Sequence, residues 1–178
     1  MQAAFPNGLQ VRSSTELRAT GRRLHGLAAP FNVAVPVGAW METISPLAFK
    51  ATLAARGDVL ALMDHQSDRL LARRSNGTLR LAETAAGLEF ELDAPDTQLG
   101  RDAVAMAEAG LLGGVSIGFR IAKGGDTWPT ATTRTLLAVS LVELSLIQAF
   151  PAYPTSVQAR FRQSADMARV RRALVMAL

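Results

Sequence analysis

Asn76-Gly77-Thr78-Leu79-Arg80-Leu81-Ala82, followed after a short gap by Gly87-Leu88-Glu89-Phe90-Glu91-Leu92-Asp93, decides how this chain is read. Asn-Gly is a strong hairpin signal, because both residues tolerate the positive φ of a tight two-residue turn. Beyond it, Leu79 and Leu81 alternate with Thr78, Arg80 and Ala82, and Leu88, Phe90 and Leu92 alternate with Glu89, Glu91 and Asp93. A period of two sends successive side chains to opposite faces. The stretch therefore predicts an antiparallel meander with one wet face.

Working outward, Glu16 to Phe31 reads as strand, with Gly21, Gly26 and Pro30 marking bends or an edge. Trp40, Glu42 and Ile44 lie in a short extended piece, and Val59 to Met63 is an apolar run read as a buried strand. That run delivers Asp64-His65 into a polar loop, Gln66-Ser67-Asp68-Arg69, before a short strand over Leu70 to Arg74. Gly124 to Thr130 has loop chemistry, and Thr133 to Gln148 reads as one long strand on which Leu141, Glu143 and Ser145 share a face. Ser45-Pro46 predicts a helix start running through Phe49 and Leu53 to Gly57. A second helix is expected from about Gln98 to Ala109, and a third over Phe161 to Leu178, striped by Met167, Val170, Leu174 and Leu178.

Many short strands with a few inserted helices and no strict βα alternation predict a mainly β, α+β fold. The expected form is an antiparallel, closed or nearly closed β-barrel of about seven strands surrounded by helices. The chain divides into an N-terminal arm (1–15), a barrel domain (16–160) and a basic C-terminal helix (161–178).

Composition narrows the function classes. With 178 residues and 49% hydrophobic content the chain can bury a core, which argues against disorder. No apolar run approaches the roughly 20 residues of a membrane span, and Met1 to Thr20 carries no signal-peptide core. Zero cysteines exclude disulfides and thiolate catalysis. Two histidines without a His-x-x-x-His pair or an acidic cluster argue against a metal site, and no phosphate-cradling glycine motif appears, so no cofactor is expected. Arg160, Arg162, Arg169, Arg171 and Arg172 against Asp166 account for the whole net charge of +4. Such a face is solvated or docks on an acidic partner; with Phe161 as the one interleaved aromatic, stacking on single-stranded nucleic acid is unsupported.

The candidate chemistry begins at Gly113-Gly114-Val115-Ser116-Ile117-Gly118-Phe119. Val115, Ile117 and Phe119 form one face of a strand, leaving Ser116 and Gly118 on the other. Glycines around a serine fit either a buried strand that needs close packing or an uncrowded nucleophile. His25 lies mid-strand and reads as structural, whereas His65, at the end of a rigid element, suits a general base. Glu143, between Val142 and Leu144, must face water, a cation or an orienting partner. If its strand lies beside that of Ser116, it can orient His65, with Asp64 and Asp68 as rivals.

The chain resembles the prohead maturation proteases of tailed bacteriophages. The matching blocks are Gly26-Leu27-Ala28-Ala29-Pro30-Phe31-Asn32, Glu42 to Phe49, Leu62-Met63-Asp64-His65, Gly77-Thr78-Leu79-Arg80-Leu81 and Leu92 to Gly100. Gly114-Val115-Ser116-Ile117-Gly118-Phe119, Glu143-Leu144-Ser145 and Phe150-Pro151-Ala152-Tyr153 complete them. That family is similar in fold to the herpesvirus maturation protease (assemblin). The resemblance implies Ser116 as nucleophile and His65 as base; the herpesvirus enzymes use a second histidine where this chain offers Glu143. It further implies cleavage of the scaffold portion of the major capsid protein and self-cleavage, by a dimer or other homo-oligomer. The work would be done inside the assembling procapsid in the host cytoplasm, without a membrane and without nucleic acid. The competing expectation is a catalytically silent assembly factor that binds scaffold with the same barrel and the basic helix.

Overall fold

The computed structural model describes residues 8–55 and 57–148. Among these, thirteen strands form three sheets. In chain order they are β1 (Gln10–Ser14), β2 (Glu16–Thr20), β3 (Arg23–Pro30), β4 (Val35–Val37), β5 (Trp40–Ile44), β6 (Leu60–Met63) and β7 (Gln66–Arg73). They continue with β8 (Leu79–Glu83), β9 (Gly87–Asp93), β10 (Gly114–Ile121), β11 (Asp126–Thr130), β12 (Thr133–Leu136) and β13 (Val139–Ile147). Two helices interrupt them, α1 (Lys50–Ala54) and α2 (Gln98–Glu108).

A five-stranded sheet runs β1-β10-β13-β6-β7, and two four-stranded sheets run β11-β12-β5-β4 and β2-β3-β9-β8. The mainly β class therefore stands, but the closed barrel does not: each sheet ends in two edge strands. Nor is the pairing wholly antiparallel, since β13 runs parallel to β6 and β12 parallel to β5. Periodicity reports which face of a strand is apolar and is silent on which strand lies beside it, so closure was never legible in it.

The alternation is borne out in β8 and β9, but no hairpin forms at Asn76-Gly77: β7 and β8, on either side of it, belong to different sheets. β8 and β9 pair antiparallel, with Leu79, Leu88, Phe90 and Leu92 buried and Glu89 and Glu91 exposed. The turn at Gly77 has φ +77° and follows a 3-10 turn over Arg74–Asn76. The helix expected from Ser45-Pro46 is shorter, since Leu47 sits at φ +68° and no right-handed helix passes through that residue. α1 is instead tied down by others: the Arg74 guanidinium donates to the carbonyls of Thr52 (3.1 Å), Leu53 and Ala55 (2.8 Å) at its C-terminal end. α2 starts where Thr97 accepts the Gly100 N–H (3.2 Å), and Gly110 ends it at φ +67°. It packs on β2, β3 and β7.

Other expectations are corrected. The long strand over Thr133 to Gln148 is two strands in different sheets, β12 and β13. The loop at Gly124 to Thr130 contains β11, and the polar loop after His65 is the exposed first half of β7. Five residues of the N-terminal arm form β1 and pair with β10. The C-terminal helix lies outside the described residues, as does the turn at Pro151 to Tyr153.

Candidate active site

β10 and β13 form the middle of the five-stranded sheet and are buried on both faces. Their register sets Ser116 opposite Ser145 and Gly118 opposite Glu143. With a period of two, these four residues share one face, while Val115, Ile117 and Leu144 point into the core. Directly opposed residues stand about 5 Å apart at Cβ, close enough for short side chains to build a single site.

Gly118 makes that site possible. A Cβ there would lie 2.3 Å from Glu143 Oε1, so the glutamate side chain occupies the space a larger residue would fill. Gly114 serves the neighbouring strand: it has φ +141°, and a Cβ would meet the Ser14 carbonyl at 2.2 Å, where β1 crosses. The glycines flanking Ser116 thus admit a carboxylate on one side and a backbone on the other.

His65 reaches this face through an unusual turn. Asp64 (φ +52°) and His65 (φ +61°) are the two residues linking β6 to β7, and both hold the left-handed conformation that such a turn requires. Asparagine and glycine usually fill these places; an L-residue with a larger side chain costs about 1 kcal/mol or more at each. Hydrogen bonds to β13 offset the strain. The Asp64 N–H donates to the Leu146 carbonyl (2.9 Å), Asp64 Oδ1 accepts from the Gln148 N–H (2.8 Å), and the His65 N–H donates to Ser145 Oγ (3.2 Å). The result places His65 Nδ1 2.7 Å from Glu143 Oε1. The second carboxylate oxygen, Oε2, accepts the Ser145 hydroxyl.

Of the rivals for the histidine, Asp64 faces Arg69 (3.2 Å) and the Gln148 amide, and Asp68 is exposed. His25 lies on the sheet β2-β3-β9-β8, between Arg18 of β2 and Glu91 of β9. It lines a concavity of about 600 Å³ together with Arg18, Arg80, Glu89 and Glu91. None of Ser116, His65 or Glu143 lines that concavity, and it holds no nucleophile beside a base, so its size does not make it the reactive centre.

Ser116 is fully buried and donates its hydroxyl to the Arg12 carbonyl of β1 at 3.1 Å. Arg12 is itself fixed: its guanidinium takes both oxygens of the fully buried Glu42 (2.6 and 2.8 Å), which Arg134 also approaches at 3.4 Å. β10 has a partner strand on each side, and the Gly113 N–H, just before it, goes to the Ile147 carbonyl at 2.6 Å. The Gly113 amide is therefore already engaged in the resting structure.

Sequence reasoning missed two participants. Ser145 had a readable signal, a hydroxyl two residues from the glutamate on the same face of an apolar strand. β1 had none, because Val11 stands alone among polar residues and no alternation marks it.

Neither any curated protein nor any solved structure matches the chain. The family model for the caudovirus prohead serine proteases matches residues 8–170, nearly the whole length, and covers every element described above. With a serine, a histidine–glutamate contact and the sheet that joins them inside that match, the chain belongs to the caudovirus prohead serine protease family.

Proposed function

We propose that the protein is a capsid-maturation endopeptidase that cleaves by acyl transfer, with Ser116 as nucleophile, His65 as general base and Glu143 as the group that orients His65. The observation that carries this reading is the 2.7 Å contact between His65 Nδ1 and Glu143 Oε1 on the sheet face that also bears Ser116. A proton held on Nδ1 by the carboxylate makes Nε2 the ring nitrogen that takes one up from the serine, and the carboxylate stabilises the imidazolium that results.

The reaction starts with a rotation of the Ser116 side chain, from the Arg12 carbonyl it now faces toward Nε2 of His65. As Oγ attacks the scissile carbonyl, its proton passes to Nε2. His65 then returns that proton to the leaving amine, and water resolves the ester by the same steps in reverse order. Catalytic hydrogen bonds are commonly longer or differently aimed before substrate arrives, so the resting contact of Ser116 is compatible with this role. The substrate is the scaffold portion of the major capsid protein and the protease itself, met by a homo-oligomer inside the assembling procapsid.

A serine-directed fluorophosphonate tests the chemistry. Wild-type protein is expected to be labelled and the His65→Ala variant to be inert; a folded wild type that resists labelling would instead mean a scaffold-binding module. Co-expression with the capsid precursor tests the substrate: Ser116→Ala should leave the precursor uncleaved, and normal processing by that variant overturns the assignment.

A further inference from the structure

We infer that Ser145 is a positioning residue for His65, fixing the histidine through both its ring partner and its backbone. The inference rests on the reading of His65 as the base.

Ser145 is fully buried between Leu144 and Leu146, where a hydroxyl without partners would be costly. It has two. Its proton goes to Glu143 Oε2, and its oxygen accepts the His65 N–H at 3.2 Å. Glu143 in turn gives Oε1 to the His65 ring. The three residues thus close a ring of hydrogen bonds: imidazole to carboxylate, carboxylate to hydroxyl, hydroxyl to the backbone of the same histidine.

Each link removes a freedom that would blur the base. A carboxylate held at one oxygen can still swing about its last torsion, whereas one held at both has a fixed plane. A histidine at φ +61° sits in a strained turn, and the bond from its N–H to Ser145 helps hold that turn against β13. Ser145 is also the cross-strand partner of Ser116, so the ring is built beside the proposed nucleophile. Ser145 differs from Ser116 in that both its hydrogen-bond partners belong to the Glu143–His65 pair it holds.

The test combines labelling with the ring's protonation pattern. Full-length protein labelled with ¹⁵N-histidine has two ring systems to assign, His25 and His65, and a His25→Asn variant separates them. In the wild type the neutral His65 ring should carry its proton on Nδ1. Ser145→Ala and Ser145→Val should turn that single tautomer into a mixture and slow fluorophosphonate labelling by about 10–100-fold, the range typical when a supporting hydrogen-bond partner is lost. Ser145→Thr, which has the shape of valine and keeps the hydroxyl, should restore both. Should the alanine variant not fold, the threonine–valine pair decides alone. A valine variant with a single Nδ1–H tautomer overturns the inference, and so does a threonine variant that behaves like valine, since packing would then be the cause. A wild type that resists labelling while its tautomer still follows the hydroxyl sinks the acyl-transfer reading and leaves the positioning role standing.

Discussion

On the outer surface of the sheet β2-β3-β9-β8, four charged residues form a ladder. Arg80 donates to Glu91 (3.2 Å) and to both oxygens of Asp93 (2.7 and 3.0 Å), and Arg23 adds a bond to Asp93 at 3.1 Å. On the sheet β1-β10-β13-β6-β7, Glu143 makes two hydrogen bonds, to a ring and to a hydroxyl. The ladder has more charge and more bonds, yet its side chains are 39–53% exposed, and water competes for every contact. Glu143 is 6% exposed, so each of its two bonds replaces solvent outright and leaves a large penalty if broken. On the sheet β2-β3-β9-β8, then, charge is concentrated where water screens it. Glu143 differs in being dry and bonded to a histidine ring, the pairing on which the proposed chemistry rests.

That contrast is sharpest at the proposed nucleophile. Ser116→Ala and His65→Ala should each reduce fluorophosphonate labelling by about three orders of magnitude or more, and the double variant should be no worse than either alone. Additive losses would show that the two residues do not act as a unit. Glu42 is a second dry carboxylate, and one with no proposed chemistry. Glu42→Ala leaves Arg12 and Arg134 facing an empty site and should lower stability by about 3 kcal/mol or more in chemical denaturation. It should also loosen β1 over Ser116; unchanged stability would show that burial does not set the rank order.

Gly118→Ala is expected to act more gently. The added methyl must displace Glu143 Oε1, costing about 1–3 kcal/mol and disturbing the His65 tautomer, readable by thermal unfolding and by ¹⁵N spectra. The smallest effect belongs to the ladder. Arg80→Ala should change stability at neutral pH by less than about 1 kcal/mol. The Arg80 and Arg23 hydrogen bonds nevertheless hold the Asp93 carboxyl down at about 2. A carboxyl depressed in the folded state stabilises above its unfolded value of about 4, and that contribution fades as pH falls toward 2. Asp93→Asn should therefore flatten the acid limb of a stability–pH curve between these values, and an unaltered limb would assign acid unfolding to other carboxylates.

The sequence was legible wherever a signal was local. Leu88, Phe90 and Leu92 alternate because a half-buried strand needs nothing else, and β9 follows them residue for residue. Thr97 and Gly110 bracket α2 for the same reason, since caps act on adjacent backbone. Ser116 and Glu143 could be singled out because each is a polar oddity in an apolar strand, and His65 because it is one of two histidines and follows directly on a buried strand. Ser145 was passed over beside them, as serines in strands are common and its two bonds are made to residues 2 and 80 positions away.

What the chain alone determined is its strand-rich class, its short list of reactive side chains and its family likeness, since these depend on residue type and near-neighbour spacing. What tertiary structure decided is the open three-sheet arrangement, the parallel joining of β13 to β6, and the pairing of β1 alongside the strand of Ser116. The parallel join brings the Asp64-His65 turn against β13, and with it the histidine to Glu143. Backbone ladders are chemically uniform, so nothing in a strand's own residues names its neighbour; burial of the whole core selects the pairing, and the pairing selects which side chains meet.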